Sequence, residues 1–174
     1  MNMSSSNRIL RAAWMAAGLA ASIVPIVAHA ESTFATRSLV AEVANRAAMA
    51  ALEACRKEGF QVGVAVTDRS GVLQAFVRDR FAGAHTVEVA TDKAWTAASF
   101  RMTTSMLAEE TQMGKPMSGI RGASRVMAIG GGVPIEAGGS TIGAIGVSGA
   151  PGGDADERCA RKGIEAIEMD VEMQ

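Results

Sequence analysis

The sequence predicts an α+β fold, a mostly antiparallel sheet flanked by helices. Three observations carry that expectation. The β-prone runs 61–67 and 72–77 flank a tight Asp68-Arg69-Ser70-Gly71 turn. A second strand–turn–strand, 133–136 and 140–147, flanks Ala137-Gly138-Gly139, and glycine takes the positive φ of such turns freely. The helical stretches enter in blocks rather than alternating with single strands, which separates the pattern from a parallel α/β sheet.

Taken in order, residues 33–58 read as a helix. Leu39, Val43, Ala47, Ala50, Ala51 and Ala54 recur at helical spacing, while Arg37, Glu42, Arg46, Glu53 and Arg56 fall largely elsewhere. Gly59 is a natural stop. The first hairpin follows, then a charged, glycine-containing loop at 78–84. From His85 the pattern is helical again, with Val87, Ala90, Ala94, Trp95, Ala98 and Met102 on the apolar side. A short helix is expected at 105–110, and a loop broken by Gly114, Pro116 and Gly119 at 113–121. Residues 125–129 read as a strand leading into the second hairpin. Asp154 or Asp156 is expected to cap a last helix running to 168, with Cys159, Ala160, Gly163, Ile164 and Ile167 inward.

The first thirty residues are read as a cleavable signal peptide. Arg8 and Arg11 form a basic start, 12–27 is apolar and alanine-rich, and Ala28-His29-Ala30 supplies a small-residue cleavage pattern. Gly18, Ser22 and Pro25 interrupt the apolar run, which falls short of the roughly 20 residues a membrane span needs. Cleavage leaves a single domain, 31–174, exported to the periplasm or secreted. The leader carries two of the 17 basic residues and no acid, so 15 basic face 18 acidic residues in the remainder. That balance argues against nucleic acid as a partner. Cys55 and Cys159 both remain; an even count in an oxidising compartment favours a disulfide clipping the first helix to the last, the alternative being two free buried thiols.

Three stretches, GFQVGVAVTDRSGVLQAFVRD from Gly59, FAGAHTVEVATDKAWTAASF from Phe81 and GGGVPIEAGGSTIGAIGVSGAPGGDADERCARKGIEAI from Gly130, resemble in order and spacing the GlcG/HbpS family of small haem-binding proteins. That family is related to the C-terminal domain of PduO-type adenosyltransferases. The resemblance spans nearly the whole chain after the leader. It implies a profilin-like fold with a five-stranded antiparallel sheet, assembly into a homo-oligomer, and haem as cofactor.

His29 leaves with the leader, so His85 is the remaining imidazole, at a helix start beside a loop. Neutral imidazole is a good ligand for haem iron. Phe81, Val87 and Met113 or Met117 could wall a porphyrin, and Arg80 or Arg121 could pair with its propionates. The plainer alternative leaves the His85 imidazole bonded to backbone or solvent. With no tyrosine in the chain, a phenolate ligand is excluded. Lys93 is a candidate Schiff-base or general-base group if desolvated, and otherwise a salt-bridged or solvated lysine. Asp68 reads as a turn former. Gly130-Gly131-Gly132 lacks the lysine and hydroxyl of a phosphate loop and leads into a strand, so nucleotide binding there is rejected. No nucleophile elbow precedes any serine, which argues against hydrolysis. A second reading is an enzyme or accessory protein for a small organic acid or corrinoid, with Arg80, His85, Lys93 and Arg121 around an anion-accepting cleft between protomers.

Overall fold

A computed structural model describes residues 32–173, and the expected leader lies outside them. The elements, in order, are α1 (Ala41–Lys57), β1 (Gly63–Asp68), β2 (Leu73–Arg78), α2 (Thr86–Phe100), α3 (Thr104–Glu110), β3 (Gly132–Ala137), β4 (Ser140–Ser148), α4 (Gly153–Glu165) and α5 (Glu168–Glu172). From Ala35 onward they form one compact unit. The strands make one sheet in the order β2-β1-β4-β3, and every pairing is antiparallel.

Local chemistry accounts for both hairpins. Asp68 Oδ1 accepts the amides of Ser70 (2.8 Å) and Val72 (2.9 Å), closing the first turn with a side chain. In the second, Gly138 and Gly139 both take positive φ (57° and 74°), and Ala137 pairs with Ser140 across the two-residue turn. Pro134, which has no amide to donate, sits on the edge strand β3.

The two faces of the sheet differ in side-chain size, and this sets the layers. Val64, Val66, Val133, Ile135, Ile145 and Val147 point one way into the main core, against α1 and α4. The opposite face is small: Gly63, Ala65, Ala144 and Gly146. There α2 lies almost on the backbone of β4, so close that a Cβ at Gly146 would stand 2.1 Å from the carbonyl oxygen of Ala90. The close seat of α2 fixes where its first turn, and hence His85, meets the sheet. The Cys55–Cys159 disulfide joins α1 to α4, with a Cα separation of 5.4 Å.

The structure corrects the sequence reading in four places. The sheet has four strands among the described residues, not five. Residues 125–129 hydrogen-bond to a helix instead: Thr96 Oγ1 donates to the Arg125 carbonyl (3.2 Å) and accepts the Met127 amide (3.0 Å), and Arg125 takes a positive φ of 70°. The first helix starts at Ala41, because the preceding residues run extended and the Leu39 amide bonds the Ile142 carbonyl at 2.9 Å. α4 is preceded by Gly152 with no side-chain cap, so Asp156 lies inside the first turn, where it is buried. The final helical stretch breaks at Ala166-Ile167 into α4 and α5.

Candidate functional site

A cleft of about 590 Å³ opens where the end of β4 passes the first turns of α2 and α4. His85 and Phe81 stand on one side, the loop 148–153 on the other, and Lys93 and Asp156 close one wall. Phe60, Val89 and Ile129 add apolar surface.

The loop carrying Phe81 and His85 is rooted by Asp79, whose side chain is 1 % exposed. Its carboxylate is gripped by Arg56, Nε to Oδ2 at 2.6 Å and Nη2 to Oδ1 at 3.0 Å, and its own amide donates to Val62. That hydrogen-bonded guanidinium holds the Asp79 carboxyl below the usual carboxylate range, assisted by the Arg80 amide against the cost of burial. At the other end of the loop, Thr86 Oγ1 donates to the Gly83 carbonyl at 2.7 Å and turns the chain into α2. The imidazole of His85 lies over Gly83, where a Cβ would come within 2.6 Å of Nδ1. His85 thus presents an exposed ring at the rim of the cleft, packed on a residue with no side chain to displace it.

The opposite wall rests on a buried ion pair. Lys93 Nζ donates to Asp156 Oδ2 (2.7 Å) and to the Val147 carbonyl (2.9 Å). Asp156 Oδ1 accepts the Ala150 amide at 3.0 Å, tying the loop 148–153 to α4. Burial pushes the Asp156 carboxyl up, against the opposing pull of Lys93 and the Ala150 amide. Nearby, Gln61 Oε1 is buried without a hydrogen-bond partner among the described residues.

Phe81 and His85, both singled out from the sequence, come together here. Arg80 is exposed on the same loop, its amide bonded to Asp79 Oδ1. Met113 and Arg121 lie at a separate cleft of about 490 Å³ beside α3. Arg121 is engaged there by the Thr111 carbonyl (2.8 Å) and the Ala108 carbonyl (2.7 Å), and Met113 is fully exposed. The sequence reading missed the loop 148–153 as a cleft wall, because its glycines read as purely structural. It also missed the partnership of Lys93 with Asp156, residues 63 positions apart with no local signal joining them.

The sequence model of the HbpS-like family, described as haem degrading protein HbpS-like, matches residues 39–165. A crystal structure of a double mutant of Streptomyces reticuli HbpS is 35% identical, covering 83% of this chain and 97% of that one, with a TM-score of 0.74. A PduOC:heme complex is 28% identical over 75% of this chain and 95% of that one, with a TM-score of 0.71. The Klebsiella pneumoniae protein ORFY, 23% identical over 80% of this chain and 97% of that one, shares the fold with a TM-score of 0.78. No curated protein matches the chain.

Proposed function

The chain belongs to the HbpS-like family, and on that premise we propose that it binds haem in the cleft rimmed by His85. The observation that carries this reading is the meeting, in one cleft, of the imidazole available after the leader with the aromatic and aliphatic surfaces of Phe60, Phe81, Val89 and Ile129. A planar porphyrin needs such apolar walls, and its iron needs a nitrogen donor free of other duties. His85 makes no side-chain hydrogen bond among the described residues that would compete for the imidazole. These residues fit haem: His85 would ligate the iron, Phe81 and Phe60 would cover the macrocycle, and Arg80 is available for a propionate. Bound haem would supply an iron centre open to redox and small-ligand chemistry; the chain itself contributes the ligand, the apolar shelter and the walls that limit water. Its role is sequestration, carriage or sensing of haem.

Export fits this role. The leader at 1–30 would deliver the domain 31–174 to the periplasm or the exterior, where the Cys55–Cys159 disulfide is compatible with the oxidising surroundings. Assembly into a homo-oligomer belongs to the same proposal. Hemin titration of the purified protein tests it. A saturable Soret shift, weakened and altered in shape by His85→Ala, is expected. Absence of saturation would refute haem binding, and an unchanged His85→Ala titration would refute the ligand.

A further inference from the structure

The chain has four lysines, and three of them, Lys57, Lys115 and Lys162, are exposed. The fourth, Lys93, is only 2 % exposed, yet it reaches a cleft wall. A buried ion pair is a weak way to stabilise a core, since desolvating two charges offsets most of their attraction, and an apolar pair of similar volume often does as well. Such a pair kept at a cleft is therefore a candidate for chemistry. The structure finds Lys93 desolvated, the condition set for a covalent group, and also salt-bridged to Asp156, as the plainer alternative held.

We propose that Lys93 is a carbonyl-reactive amine that captures a small aldehyde or 2-oxo acid from the cleft as a Schiff base, with Asp156 as its proton partner. The placement supplies what the step needs. Lys93 Nζ makes two protein hydrogen bonds among the described residues, to Asp156 and Val147, leaving one position of the nitrogen for a ligand. Gly131 borders the amine at a positive φ of 118°, where a Cβ would stand 2.9 Å from Nζ and 2.7 Å from Asp156 Cβ, so glycine lets the pair pack there undisplaced. Asp156 Oδ2, held 2.7 Å from Nζ inside the buried pair, is placed to accept the proton that the amine must lose before it can attack.

The step balances as follows. A proton moves from Nζ to Asp156 Oδ2 across the 2.7 Å hydrogen bond. The freed electron pair of Nζ forms a bond to the carbonyl carbon as the carbonyl π bond breaks. The oxygen takes up the proton from Asp156, giving a carbinolamine after its nitrogen loses a further proton to the carboxylate. Return of that proton to the hydroxyl expels water and leaves the C=N bond. Neither a redox partner nor haem takes part in the step.

The test uses the full chain with glyoxylate and cyanoborohydride, which delivers hydride to any imine and fixes the adduct, followed by peptide mapping of all four lysines. Lys93 is the lysine that lines this cleft, where a bound oxo acid would be held against its amine, so labelling at Lys93 is expected to exceed each exposed lysine by about tenfold or more. Asp156→Asn is expected to abolish that excess while leaving Lys57, Lys115 and Lys162 unchanged. Labelling of Lys93 no faster than the exposed lysines would overturn the proposal using the unmodified chain alone, whether or not the variant folds. A folded Asp156→Asn variant that keeps the excess would overturn the role of Asp156.

Discussion

Replacing both Cys55 and Cys159 by alanine would remove the covalent tie between α1 and α4, which are separated by 104 residues along the chain. In the chain-entropy treatment, releasing a loop of that length restores about 4.7 kcal/mol of freedom to the unfolded state. Both cysteines are fully buried in the main core, so the lost sulfur contacts add to this rather than offset it. The folded state keeps its α1–α4 packing through Ala47, Ala51 and Ala160, so the native signal survives while its stability falls. The assay is urea unfolding followed by far-UV circular dichroism, with the native protein measured in parallel with and without reductant. A loss of about 2–5 kcal/mol is expected on reduction, and a larger one for the double substitution, which also removes the buried sulfurs. Unfolding midpoints that coincide for oxidised, reduced and substituted protein would refute the tie as a source of stability.

Removing one member of the buried pair, as in Lys93→Met, strands the Asp156 carboxylate and should cost about 3–5 kcal/mol, whereas Lys93→Met with Asp156→Leu should cost much less; urea unfolding of the three proteins distinguishes these. Gly146→Ala places a methyl against the backbone of Ala90 and Ala94, which cannot yield without lifting α2, so a loss of about 1–3 kcal/mol with weaker hemin binding is expected. Because the folded state lowers the Asp79 carboxyl, its contribution is present above the unfolded value of about 4 and fades as the pH falls through the lower folded value. Asp79→Asn should therefore destabilise the protein at pH 7 and flatten the acid limb of a stability–pH curve. A variant whose acid limb matches the native protein would contradict this.

The hairpins were legible because their turns are written locally, in Asp68 and in Gly138-Gly139, and the disulfide because two cysteines remain after the expected leader, an even count that favours pairing in an oxidising compartment. The start of α1 was not legible: residues 35–40 carry helical spacing, but Leu39 finds a sheet carbonyl and the tertiary bond overrides the pattern. The expected fifth strand failed for a similar reason, since the partner for 125–129 is the Thr96 hydroxyl on α2 rather than a neighbouring strand. At the site, His85 and Phe81 sit close in sequence and could be read together. Asp156 was read as a helix cap because acids favour that position. Its role as the buried partner of Lys93 depends on Gly131 and Gly132 letting the chain pass close to α2, which only the packed structure reveals.

The most direct measurement of the central claim is the amide spectrum of the isotopically labelled protein as ferric hemin is added, since the paramagnetic iron broadens the signals nearest to it. Binding at the proposed cleft predicts broadening centred on Phe60, Gly83, His85, Gly149 and Gly152, saturating with hemin. Broadening centred instead on Met113 and Arg121, or none that saturates, would contradict it.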